Sequence, residues 1–159
     1  MSTAYLCSDP EMTFAAGAIL APLLEQGDVI GLIGDLGAGK TLFVQGLAKG
    51  LQVPEETRIT SPTFSLINEY RGGRLSLVHV DLYRIEEQSE FEHLGLDEMI
   101  DLAGVSAVEW CEKFPVLPKD HLLVTIAILG PQSRELSIEG TGVHSKALAA
   151  RWSTALADM

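Results

Sequence analysis

Gly34-Asp35-Leu36-Gly37-Ala38-Gly39-Lys40-Thr41 lies between an apolar run and a helical repeat, and it restricts the fold more than any other segment of the chain. Val29, Ile30, Leu32 and Ile33 before it suit a short buried strand. Leu42, Phe43, Leu47 and Leu51 after it recur at helical spacing. The octapeptide fits G-x-x-x-x-G-K-[ST], and strand, glycine loop and helix in that order are what phosphate binding requires. Gly34, Gly37 and Gly39 let backbone N–H groups approach phosphate oxygens with no Cβ in the way. The helix that follows offers unpaired N–H groups and its positive dipole end to the same oxygens. Lys40 would reach the β- and γ-phosphates, and the Thr41 hydroxyl would ligate Mg²⁺. The expected ligand is a nucleoside triphosphate with Mg²⁺.

At 159 residues the chain is expected to form one domain spanning 1–159. Its 22 acids against 11 lysines and arginines leave a net charge of −11. That balance disfavours a broad phosphate-tracking surface, so any role with RNA or DNA would run through a basic partner. Cys7 and Cys111 stand far apart with no metal-ligand spacing, which fits reduced thiols. Asp9 and Glu11 occupy the place of a basic leader, and no apolar run reaches membrane-spanning length, so a soluble, cytoplasmic protein is expected.

Ala4 to Cys7 reads as a first strand, and Ser8-Asp9-Pro10 as a helix start with capping-box spacing from Ser8 to Glu11. Phe14, Ile19, Leu20, Leu23 and Leu24 supply that helix with an apolar face, and Gly27 a stop. Residues 52–63 are polar with two prolines and read as a loop. Phe64–Tyr70 and Leu75–Tyr83 then flank Arg71-Gly72-Gly73-Arg74, a hairpin signal. Residues 86–102 suit one or two short helices divided near Gly95. Val105–Glu109, Leu122–Leu129 and Glu135–Ile138 are strand-like, and Leu148, Trp152 and Leu156 mark a last helix beginning at His144. The sum predicts an α/β fold: a three-layer α/β/α P-loop NTPase sandwich, its sheet mixed, mostly parallel and including an antiparallel hairpin.

A phosphate loop needs a carboxylate near Mg²⁺ and a group that positions the attacking species. Leu75 to Asp81 and Val105 to Glu109 both have the form of an apolar strand ending in an acid. Read alone, either acid could instead cap a neighbouring helix or face solvent. By string, Asp81 is the closer match to a metal acid. Thr60, Ser61, Pro62 and Thr63 lie where a switch-like loop would meet the γ-phosphate, although hydroxyls before a strand also suit a plain turn. His79 reads as a structural strand residue, and His93 and Trp110 carry no assignment from residue type.

GDLGAGKT, TSPTFSLINEY, HVDLYRI, EHLGLDE and AVEW, in this order over roughly residues 4–140, closely resemble the bacterial TsaE (YjeE) ATPase family. The resemblance implies an ATPase serving N6-threonylcarbamoyladenosine biosynthesis in tRNA. Its implied partners are TsaB and TsaD, which carry the threonylcarbamoyl transfer and through which tRNA is reached. It implies ATP turnover that drives or resets this complex without touching the transferred group. By motif position, Thr41 and Glu109 would hold Mg²⁺ and Lys40 the phosphates, so that Lys40, Asp81 and Glu109 form the catalytic set. Asp81 would stand beside the metal acid as a supporting or water-positioning group, against the reading by string. Ser61 to Phe64 would be the switch-like loop, Trp110 would lie near the nucleotide or a partner surface, and Thr13 near the base. Two other classes stay open: a small-molecule kinase, and a non-catalytic nucleotide-gated binding module. Residues 84–104 hold one arginine, Arg84, and no lysine, which counts against a kinase lid.

Overall fold

A computed structural model describes residues 2–159 except 64, 94 and 103. Seven strands, β1 (Thr3–Cys7), β2 (Asp28–Ile33), β3 (Ile67–Tyr70), β4 (Leu77–Asp81), β5 (Val105–Glu109), β6 (Leu122–Ile128) and β7 (Arg134–Gly140), form one sheet in the order β1-β7-β6-β2-β5-β4-β3. The central pairs β6–β2, β2–β5 and β5–β4 are parallel, whereas β1–β7, β7–β6 and β4–β3 are antiparallel. Strands β2, β4 and β5 are buried along their lengths, which explains why they read as near-continuous apolar runs.

Five helices accompany the sheet: α1 (Pro10–Leu20), α2 (Lys40–Gly50), α3 (Gln88–His93), α4 (Leu96–Leu102) and α5 (Val143–Ala157). Strand parity divides the core in two. Ile30, Leu32, Leu77, Val105 and Ala107 face the layer that includes α1, α2 and α5, together with Phe43, Leu47 and Trp152. Val29, Val78, Val80 and Val108 face the opposite side, with Leu96 and Ile100 of α4. Trp152 ties α5 into the first layer, its ring 5.8 Å from that of Phe43 and its Nε1 donating to the Ala16 carbonyl at 3.0 Å.

Three local expectations are corrected. Asp9, not Ser8, caps α1: its Oδ1 accepts from Met12 N at 2.9 Å, while Ser8 Oγ meets the Met12 sulfur. Pro10 already fills the first helical position, so the residue directly before it must take the extended cap conformation. The helix then tightens into a 3-10 turn at Ala21–Leu23 around Pro22 and ends well before Gly27, whose φ of +94° belongs to the turn into β2. Strands β3 and β4 are shorter than the apolar runs; β3 starts only at Ile67 because Leu66 turns at φ +70° with its N–H on the Pro62 carbonyl. Phe64 lies outside the described residues. Among the described helices, none is long and apolar enough to cross a membrane.

Candidate functional site

The parallel pairing of β2, β5 and β4 brings their C-terminal ends to one edge, with Leu32 in register with Glu109 and Glu109 with Asp81. The glycine loop leaves β2 at this edge and runs into the N-terminus of α2. Gly37 at φ +82° and Gly39 at φ +107° hold left-handed conformations that L side chains rarely adopt, which is why the tight turn requires glycine there. Lys40 opens the helix and is 5% exposed, its Nζ donating to the Gly34 carbonyl at 2.5 Å. Burial pushes its ammonium below the usual lysine range, an effect opposed by the carboxylates of Glu109, Asp81, Glu112 and Asp35. A buried cation with acids around it is an arrangement of perturbed charges that marks a candidate functional site.

Asp81 and Glu109 share the sheet face that carries α2, since they continue the parity of Leu77, Val105 and Ala107. Asp81 is engaged through both oxygens. Oδ2 accepts from Ser61 Oγ at 3.1 Å and Thr63 Oγ1 at 2.9 Å, and Oδ1 accepts from Tyr83 N at 2.9 Å. Ser61 and Thr63 also bond each other at 2.9 Å. Glu109 is 3% exposed and its Oε2 meets Nε2 of the fully buried His79 at 2.5 Å. Directly after it, Trp110 adopts φ +60°, a conformation costing a bulky residue about 1–2 kcal/mol. That turn lays the indole over Lys40, with Nζ 3.9 Å from the ring centroid, and beside Tyr83, with centroids 5.1 Å apart. A cavity of about 380 Å³ results, lined by Gly37, Gly39, Lys40 and Thr41 of the loop, Ser61 and Thr63, the two acids and Trp110.

The family model described as "Threonylcarbamoyl adenosine biosynthesis protein TsaE" matches residues 7–136. The chain belongs to the TsaE family. Two relatives share the name "tRNA threonylcarbamoyladenosine biosynthesis protein TsaE". The one from Nostoc is 45% identical over 86% of this chain and 85% of its own. The one from Bacillus subtilis is 44% identical over 84% and 83%. The crystal structure of Bacillus subtilis YdiB superposes with a TM-score of 0.82 at 35% identity, covering 97% of this chain and 95% of that one.

Within this TsaE-family chain, most of the residues singled out from the sequence converge on one cavity. Lys40, Thr41, Asp81, Glu109, Trp110, Ser61 and Thr63 all line it, as do Leu36, Gly37 and Gly39. Thr13 does not. It is 1% exposed and sits behind the loop, where a Cβ on Gly39 would meet its Cγ2 at 3.6 Å. Gly34, Asp35, Ala38, Thr60 and Pro62 are likewise absent from the lining; Ala38 and Pro62 are buried, whereas Asp35 and Thr60 are exposed. Two residues beside the site were not assigned to it from the sequence: His79, read as a structural strand residue, and Arg134. His79 precedes Asp81 by two in β4, so strand alternation alone could have placed it on the site face. Arg134 begins β7, and its guanidinium donates to the Ala38 and Gly37 carbonyls at 2.9 and 3.2 Å and to the Gly130 and Ser133 carbonyls at 2.9 Å. It fastens the back of the glycine loop to the β6–β7 turn across nearly a hundred residues of sequence, and no local signal announces it.

Proposed function

We propose that this chain is a Mg²⁺-dependent P-loop ATPase of tRNA threonylcarbamoyladenosine biosynthesis, acting with TsaB and TsaD in the cytoplasm and reaching tRNA only through them. The observation that carries the reading is the single cavity in which a glycine loop, a buried lysine, a threonine and two buried carboxylates converge. The family names supply the pathway.

The donor set suits magnesium: a hydroxyl at Thr41 and a carboxylate at Glu109 are hard oxygen ligands on either side of Lys40. Glu109 is favoured over Asp81 because both oxygens of Asp81 already accept hydrogen bonds from Ser61, Thr63 and Tyr83. Bound magnesium would neutralise charge building on the β- and γ-phosphate oxygens. The chain's own groups then have separate tasks. The N–H groups of the first turn of α2, from Lys40, would hold phosphate oxygens, and Lys40 adds a positioned charge that burial strengthens. Asp81 holds the Ser61–Thr63 segment at the cavity mouth, so a γ-phosphate there competes for the same hydroxyls. The loop over residues 52–63 thereby couples nucleotide state to an outward-facing surface, a device for telling partners whether ATP or ADP is bound.

The test is ATP turnover by the purified protein, alone and with TsaB and TsaD, and with candidate metabolites as phosphate acceptors. Phosphate release that rises with the partners and ignores the metabolites supports the reading. Stoichiometric transfer to a metabolite replaces it with a kinase, and nucleotide binding without turnover in any mixture replaces it with a nucleotide-gated module.

A further inference from the structure

We propose that His79 is a positioning residue that orients Glu109 as a metal ligand, an inference that rests on the nucleotide-site reading above. The two side chains meet from adjacent parallel strands, β4 and β5, on the sheet face that carries α2. Both are almost wholly buried, and Glu109 Oε2 lies 2.5 Å from His79 Nε2. The contact is within hydrogen-bond distance and ties one carboxylate oxygen to the ring. The other ring nitrogen, Nδ1, is buried without a hydrogen-bond partner. Among the described residues, the ring's one hydrogen bond goes to the acid that lines the cavity.

The geometry separates the two oxygens of Glu109. Oε2 is held by the ring, and the carboxylate can then turn only so far as that bond allows. Oε1 is then the oxygen left for a cation in the cavity that Glu109 lines. Partners of this kind, one shell out from a metal, typically govern affinity for the ion by about ten- to a hundredfold. Asp81 is arranged differently. Its oxygens are tied to the switch-like segment and to a backbone N–H. The pair His79–Glu109 thus marks the acid built for the ion, and Asp81 the acid built for the loop.

The test compares ADP affinity by calorimetry in saturating MgCl₂ and in EDTA, for wild type, His79→Leu, His79→Gln and Glu109→Ala. His79→Leu fills the volume without a donor, whereas His79→Gln returns an N–H near the position of Nε2. For His79→Leu the expected result is EDTA affinity within about twofold of wild type and a Mg²⁺ requirement raised roughly tenfold or more. His79→Gln should recover most of that loss, which a packing role would not explain. If His79→Leu fails to fold, His79→Asn, too short to reach Glu109, is read in its place. Wild-type Mg²⁺ dependence in the donor-less variant overturns the proposal, as does equal loss of affinity with and without Mg²⁺. If wild type itself gains nothing from Mg²⁺, or Glu109→Ala keeps the full gain, the metal assignment fails and the role of His79 with it.

Discussion

Lys40 shows how much a single side chain can be asked to do. It is nearly buried, its charge is opposed by desolvation and supported by four carboxylates, and an indole covers it. Lys40→Ala should lower ATP turnover by about two orders of magnitude or more, since a preorganised charge on the phosphates is worth that much. Its far-ultraviolet circular dichroism should match wild type, because the loop backbone stays in place. Undiminished hydrolysis would remove the phosphate-loop assignment. Glu109→Ala should raise the Mg²⁺ concentration needed for half-maximal turnover while leaving nucleotide affinity in EDTA nearly unchanged. Should Asp81→Ala produce that effect and Glu109→Ala not, the metal acid is Asp81. Cys111 offers a separate check. Burial first, and the neighbouring Glu112 second, push its thiol up to about 12. At about pH 8 the folded protein then carries on the order of a thousandfold less thiolate there than an open cysteine would. Iodoacetamide should therefore label Cys111 only after denaturation, as followed by peptide mass analysis.

Helices α1 and α2 approach so closely that glycine is required where they touch. A Cβ on Gly17 would stand 2.4 Å from the Phe43 carbonyl oxygen, one on Gly46 2.0 Å from that of Phe14, and one on Gly50 2.5 Å from that of Ala18. These contacts are to backbone, which cannot step aside as a flexible side chain would. Gly46→Ala should accordingly force the helices apart and cost about 2–3 kcal/mol, despite the better helix propensity of alanine. For a chain of this size that is a fall in melting temperature of roughly 5–10 °C, readable by calorimetry. An unchanged melting temperature would show that the crossing is looser than these distances. The consequence reaches the site, because α2 carries Lys40 and Thr41 at its first turn. Local sequence singles out neither Gly17 nor Gly46, and Gly50 only as the place where a helix ends. Their purpose is set by a neighbour some thirty residues away, and no helical pattern encodes it.

At the scale of the molecule, net charge sets what the chain can be expected to do by itself. With a net charge of −11 it offers tRNA little to hold. Alone it should show slow ATP turnover and negligible tRNA affinity, and both should change when TsaB and TsaD are added. By linkage, a non-hydrolysable ATP analogue should tighten its attachment to those partners relative to ADP. Equal affinity in the two nucleotide states, with turnover indifferent to partners, would contradict the complex-driving reading. The sequence by itself determined the strand–loop–helix unit around 34–41, the apolar strands ending in Asp81 and Glu109, and the last helix through Leu148, Trp152 and Leu156, since each is written in local periodicity or in glycine spacing. It determined the α1 cap less well, because Ser8 and Asp9 compete and only the position of Pro10 separates them. Tertiary structure decided the rest. Parallel pairing set Asp81 beside Glu109, brought His79 under the second acid and tied the first to Ser61 and Thr63. It also sent Arg134 to the back of the glycine loop and left Thr13 outside the cavity. Such contacts join residues from 18 to 97 positions apart. Their energies depend on strand register and helix crossing, which exist only once the sheet has formed.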